Sequence, residues 1–311
     1  LPRTPYIKPT FKLILESAPD VYLLLMIFAQ LVINNQGLAE EIRKSILGLT
    51  TTLHWFSRDK GRAIRSIYAR LRESEPLDKS FFSGCLNEVQ NQNSIANGFY
   101  KIISPAKLRE FVKCPHENTE DWNFWREIVE DRSESDETKR AELHNEVWPV
   151  VRNILWNNEL LLWAQRSYMK ERFGNYDKAD AVMWEDHNRP WDYDHLLPAK
   201  NFSNLKSGGQ YMRTCQERGN TIGNLHILPL EENRQRQDEP ANKTFENRTL
   251  KDLTLMHLSK KDDLDAFSIS QDDVRNGRKI YPFAEAVHNR IYRIYEDWFK
   301  LLDIAILIDD Q

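Results

Sequence analysis

The 311-residue chain has only three cysteines, Cys85, Cys114 and Cys215, widely spaced and without a CxxC pair. That excludes a disulfide framework and a cysteine-built zinc site, and a reducing cytoplasm is the expected compartment. Cys114-Pro115-His116 has no second pair of ligands nearby and reads as structural. Long apolar runs are missing too. The longest, Val21 to Ile33, is interrupted by Gln30 and falls short of the about 20 residues a spanning helix needs, so no membrane partner is expected. There is no charged-then-apolar leader and no initiator Met; the chain opens on Leu1-Pro2-Arg3, and a fragment of a longer protein is expected. Neither charge dominates. The formal net charge is -4 with a pI near 6.1, which argues against a nucleic-acid coat but leaves room for a local basic cleft.

What is there suits a packed protein. Hydrophobic residues make up 41% and aromatics 11%, so disorder of the whole chain is excluded. The length allows one large or two to three small domains. Helical periodicity dominates. Val21 to Ile33 is apolar on nearly every side and predicts a buried helix. Leu38 to Phe56 carries Ile42, Ile46, Leu49 and Leu53 at helical spacing, and Ala63 to Glu73 carries Ile64, Ile67, Tyr68 and Leu71. The basic cluster around the latter, Arg58, Lys60, Arg62, Arg65, Arg70 and Arg72, reads first as a solvated helix face. Short helical patterns follow over 80–130. Asp131 to Lys139, charged and without apolar residues, is the best linker candidate. Glu142 to Val151 predicts a helix that Pro149 kinks or restarts. Asn158 to Phe173 predicts one helix capped by Asn158 and ended by Gly174. Leu250 to Leu258 is a short helix and Lys260 to Asp265 a charged loop. Phe283 to Leu302 is an amphipathic helix with Val287, Ile291, Ile294, Trp298 and Leu301 on one stripe.

One stretch carries chemistry. The stretch Trp191-Asp192-Tyr193-Asp194-His195-Leu196-Leu197-Pro198 holds a strand over Tyr193 to Leu197, a polar loop follows, and Ile222-Gly223-Asn224-Leu225-His226-Ile227-Leu228-Pro229 holds a second strand that carries Asn224. Glu232-Asn233-Arg234-Gln235-Arg236 then begins a helix. Breaking a phosphodiester near neutral pH needs an activated water and something to neutralise phosphate charge. A histidine near its own pKa can take the proton. A hard cation can supply the charge, held by few oxygen ligands so that waters complete its shell. His195 is the candidate base. Asp194 is the candidate anionic ligand, and Asn233, on the helix, the second ligand. Strand alternation sends Asp194 and His195 to opposite faces, so a bulged or twisted strand end is expected. Asn224 is placed to bond the loop after the first strand. Lys200, Arg234, Arg236 and Lys243 are the candidate phosphate contacts. His187 and His226 read first as bystanders, with His226 close enough to Asn224 to point into the site as the alternative; support of the metal by Asp192 from outside its ligand set is likewise the second reading of that residue.

Asp-His-Leu-Leu-Pro, then Ile-Gly-Asn-Leu-His-Ile-Leu, then Asn-Arg nine positions after Asn224, resembles the HNH (ββα-metal) nucleases. The chain is most similar to the C-terminal nuclease region of GmrSD-like restriction proteins, specifically over 184–248. The resemblance implies a histidine that activates water (His195), an acid and a final asparagine that hold one Mg²⁺ or Mn²⁺ (Asp194, Asn233), and a supporting middle asparagine (Asn224). It implies DNA as substrate, a bacterial defence role against phage or modified DNA, and an N-terminal nucleotide-hydrolysing domain missing from this chain. One such site nicks one strand; a homodimer would supply the second cut. The expected fold is mainly α, a helical scaffold with an embedded small ββα-metal motif. Its expected parts are a helical domain over 1–135, the nuclease domain with preceding helices over 136–260, and a C-terminal helix over 261–311 packing back on the scaffold. Two features depart from the family. The loop Ala199 to Thr221 is long, with Gly208-Gly209 as a hinge candidate, and the cysteine pairs of zinc-stapled HNH proteins are absent. Two alternatives stay open: an HNH-like fold that grips nucleic acid without cutting, and a partner-binding protein with a vestigial site.

Overall fold

The computed structural model describes residue 14 and residues 17–34, 40–57, 59–73, 76–91, 102–114, 137–173, 190–203, 209–259 and 262–308. His116, His187, Arg58 and most of the expected linker lie outside them. The protein is mainly helical, with one small two-stranded antiparallel sheet among the described residues. In chain order the elements are α1 (Pro19–Asn34), α2 (Glu40–Phe56), α3 (Lys60–Arg72), α4 (Lys79–Asn91), α5 (Pro105–Phe111), α6 (Glu137–Leu155), α7 (Asn158–Ala164) and α8 (Arg166–Phe173). Then come β1 (Trp191–His195), a 3-10 turn (Ala199–Asn201), α9 (Gln210–Gly219), β2 (Leu225–Pro229), α10 (Leu230–Arg236) and α11 (Ala241–Thr244). The chain closes with α12 (Leu250–Leu255), α13 (Asp262–Ala266), α14 (Gln271–Arg275), α15 (Ile280–Leu301) and α16 (Ile304–Leu307). No helix among the described residues is long and apolar enough to cross a membrane.

Two compact units are present, and neither is contiguous. The first comprises Leu1–Leu108, Val129–Asn153 and Tyr295–Gln311, and the second Arg109–Ile128 and Ile154–Ile294. The boundaries therefore fall away from 135/136 and 260/261, because α6 and α15 each contribute residues to both units.

In the first unit, α1 is buried on one side only. Val21, Leu24, Leu25 and Phe28 are buried, whereas Leu23, Met26 and Ile27 stay exposed, which corrects the expectation of a helix buried all round. The reason is its partners: α2 and α3 pack against it, and Phe28 meets Phe82 of α4 edge-on at 5.4 Å. The C-terminal part of α15 contributes Trp298. Its Nε1–H donates to Thr51 Oγ1 at 3.0 Å, so the one polar atom of this buried ring is satisfied.

The second unit holds the sheet. Asn158 to Phe173 is broken at Gln165 into α7 and α8, and the cap is Asn157, whose Oδ1 accepts from Leu160 N–H at 2.9 Å. The residue at the break has a use. Gln165 is fully buried, and its Oε1 accepts from Ile227 N–H of β2 at 3.0 Å. The backbone ladder continues through it, Gln165 N–H donating to Leu161 O and Met169 N–H to Gln165 O, each at 2.9 Å, while the side chain serves the strand. Pro149 lies inside a continuous α6, and the expected charged loop over Lys260 to Asp265 contains α13. The amphipathic stripe of α15 in this unit, Phe283, Val287 and Ile291, has no exposure. Full burial of each such side chain contributes roughly 1.5–3 kcal/mol.

Candidate functional site

The site is built on β1, β2 and α10, in that order. β1 pairs with β2 in regular register, Asp194 opposite His226 and His195 opposite Leu225. α10 follows β2 directly and packs on both strands. Of the expected bulged or twisted strand end, no bulge is present: the pairing runs regularly to the end of β1. Alternation therefore holds. The Asp194 carboxylate meets Arg236 of α10, while the His195 ring meets Phe202 edge-on at 5.7 Å and has the Asn220 side chain beside it.

Asn224 joins the strand ends. Its Oδ1 accepts from Leu197 N–H at 2.8 Å, and its Nδ2 donates to Leu197 O at 3.2 Å and Gly219 O at 3.0 Å. Its own carbonyl accepts from Leu196 N–H at 2.8 Å. The residue is fully buried, so each of these bonds replaces one that water cannot supply. The placement matches the expectation that this amide bonds the loop after the first strand.

Two buried arginines hold the carbonyls around it. Arg290, from α15, donates to Gly223 O at 2.5 Å, to Leu225 O at 2.9 Å and to Met256 O at 3.1 Å. Burial lowers its pKa to about 9, so it stays charged at neutral pH. Arg236 donates to the Asp194 carboxylate, to His195 O at 2.7 Å and to Leu196 O at 2.6 Å. Its Nε–H reaches Thr244 Oγ1 at 3.2 Å and Glu239 O at 3.3 Å, and the guanidinium lies over the Phe245 ring at 5.4 Å. Arg236 is 5% exposed, so it points into the fold rather than toward an incoming phosphate. This corrects its place among the phosphate contacts: the buried carboxylate beside it requires a charged partner.

The electrostatics follow. Burial raises the Asp194 carboxyl above its ordinary value, and the Arg236 guanidinium opposes that rise. Burial lowers the His195 imidazole, with the Asp194 charge and the Asn220 side chain opposing. His195 is thus biased toward the neutral form, the one that can accept a proton. His226 is a core histidine, 1% exposed, packed edge-on against Tyr168 at 4.9 Å and Phe245 at 5.8 Å. Its Nδ1 lies 3.2 Å from Gln165 Oε1, an oxygen already accepting from Ile227 N–H, so Nδ1 carries the proton.

Asn233 is half-buried on α10, one turn before Arg236 and on the same side of the helix. Asp192 shares the face of Asp194 two residues earlier. Lys200, Arg234 and Lys243 are exposed; Lys200 pairs with Asp238 at 3.0 Å. Among the described residues no group of three or more His, Cys, Asp and Glu side chains gathers as a metal site. The long loop contains the 3-10 turn and α9, and it delivers Phe202 and Asn220 to His195. Sequence reading passes over Asn220, Phe202, Gln165 and Arg290. Gln165 left one signal, as the first polar residue after the apolar run Leu160 to Ala164. Compared with known proteins, the chain matches no described family, no curated protein and no solved structure.

Proposed function

We propose that the protein is a metal-dependent DNA endonuclease of the HNH kind, the nuclease part of a restriction or anti-phage defence effector. One observation carries the reading. A β-β-α unit carries adjacent Asp194 and His195 at the end of its first strand, pinned by a fully buried asparagine just before the second. In this reading His195 takes a proton from water, and the water oxygen attacks phosphorus as the P–O3′ bond breaks, leaving a 5′-phosphate. Asp194 and Asn233 offer a carboxylate and an amide oxygen, a donor pair that fits a hard cation completing its shell with water. Such a cation, Mg²⁺ or Mn²⁺, would neutralise charge on the phosphate and the departing oxygen. Lys200, Arg234 and Lys243 have the exposure that phosphate contacts need. The direct test is nicking of supercoiled plasmid by wild type and by His195→Ala.

A second reading, a fold that grips nucleic acid without cutting, draws on the Arg236–Asp194 pair, which already satisfies the carboxylate. DNA binding that ignores divalent cation, without nicking, would favour it.

A further inference from the structure

We propose that Arg236 is the resident counter-ion of Asp194, so that a divalent cation must share or exchange this carboxylate with a guanidinium and Arg236 sets the affinity for the cation. The inference rests on Asp194 being a cation ligand.

The argument starts from how completely Arg236 is held. Its side chain is 2% exposed and that of Asp194 15%, so solvent screens the pair little. One nitrogen bridges the Asp194 carboxylate and His195 O; the other terminal nitrogen binds Leu196 O, and Nε binds Thr244 and Glu239. The guanidinium supplies the positive charge beside the carboxylate. It therefore neutralises Asp194 when no cation is present, as a buried carboxylate demands. A divalent cation arriving at Asp194 meets that positive charge at close range, where the low local dielectric makes repulsion large. Arg236 also fixes the carbonyls of the two residues after Asp194, so it is a positioning residue rather than a substrate contact.

The test uses the whole chain and Mn²⁺ as the probe, with free Mn²⁺ followed by its paramagnetic signal. The expected result is that Arg236→Gln binds Mn²⁺ about tenfold or more tightly than wild type. Arg236→Lys, which keeps the charge, should stay near wild type, and Asp194→Asn should lose the site in each background. Unchanged or weaker binding by folded Arg236→Gln overturns the proposal and leaves the nuclease reading standing, provided wild type binds Mn²⁺ through Asp194. Binding by Arg236→Gln alone supports it. Binding by neither protein removes the cation site, and both readings fall together. Because Arg236→Gln loses buried contacts, a second measurement uses wild type only. The nitrogen-15 signals of the Arg236 guanidinium should shift on adding Mg²⁺, saturating with the cation's own affinity. Signals that stay put while the cation binds overturn the proposal.

Discussion

The side chain of Asn224 binds both backbone groups of Leu197, accepting from its N–H at 2.8 Å and donating to its carbonyl at 3.2 Å. One amide thus copies a strand partner for a residue two positions beyond the paired end of β1. The third bond, to Gly219 O, ties in the end of α9, which supplies Asn220 to His195. The site's shape depends on this one side chain.

Asn224→Asp keeps the shape and reverses one end of it. A carboxylate oxygen would face two carbonyls where Nδ2 now donates. The loss is expected at about 3 kcal/mol, the scale of two buried groups left unpaired. A lowered urea midpoint with an unchanged slope checks this.

Gly223 is needed for close approach. A Cβ there would lie 2.5 Å from Val287 O, a backbone atom of α15 that cannot swing away. Gly223→Ala should destabilise by roughly 1–3 kcal/mol, the cost of overpacking. Gly209→Ala is the control: among the described residues nothing lies within 4 Å of its Cβ, so thermal unfolding should show no overpacking cost.

Acid should weaken the second unit. His226 and His288 are buried, and burial holds both well below the ordinary histidine value. Below about pH 6.5 the unfolded chain binds protons that the folded chain refuses, so stability falls as pH falls. Each group contributes a slope of up to about 1.4 kcal/mol per pH unit. Melting temperatures between pH 7 and 5 should fall, and His288→Leu should flatten the decline relative to wild type.

Exposed basic residues should act on affinity alone. Replacing Lys200, Arg234 or Lys243 by Ala should leave the fold intact, since the exposed Lys200–Asp238 pair is worth about 0–1 kcal/mol. Each true phosphate contact removed should lower the slope of log K against log salt by about 0.9. Arg236→Lys should leave that slope unchanged, because its head is buried. Fluorescence anisotropy with duplex DNA across a salt series checks both.

Much of this was legible because it rests on local pattern. The stripe Val287–Ile291–Ile294–Trp298 follows from period, the two strands and the helix after them from the ordered Asp-His, Gly-Asn and Asn-Arg motif, and the bond from Asn224 to the β1 loop from its place beside the second strand. What pattern could not reach was the choice of long-range partner. Arg236 looked like a surface cation because three of its neighbours are charged or amide residues, and only the fold reveals the carboxylate and carbonyls it meets. From between α7 and α8, Gln165 reaches β2, 62 residues away, and no local signal names that partner. The outer face of α1 misled for a simpler reason. Leu23, Met26 and Ile27 are as apolar as the buried side, so composition could not tell which face has a neighbour.

The most direct measurement is conversion of supercoiled plasmid to nicked circles with Mg²⁺ or Mn²⁺, wild type against His195→Ala. The expected result is metal-dependent nicking by wild type, slowed about 10²–10⁴-fold in the variant, the usual contribution of a general base. Equal cleavage by both proteins would contradict the assignment of His195. No cleavage by folded, metal-loaded wild type would leave the β-β-α unit as a binding fold.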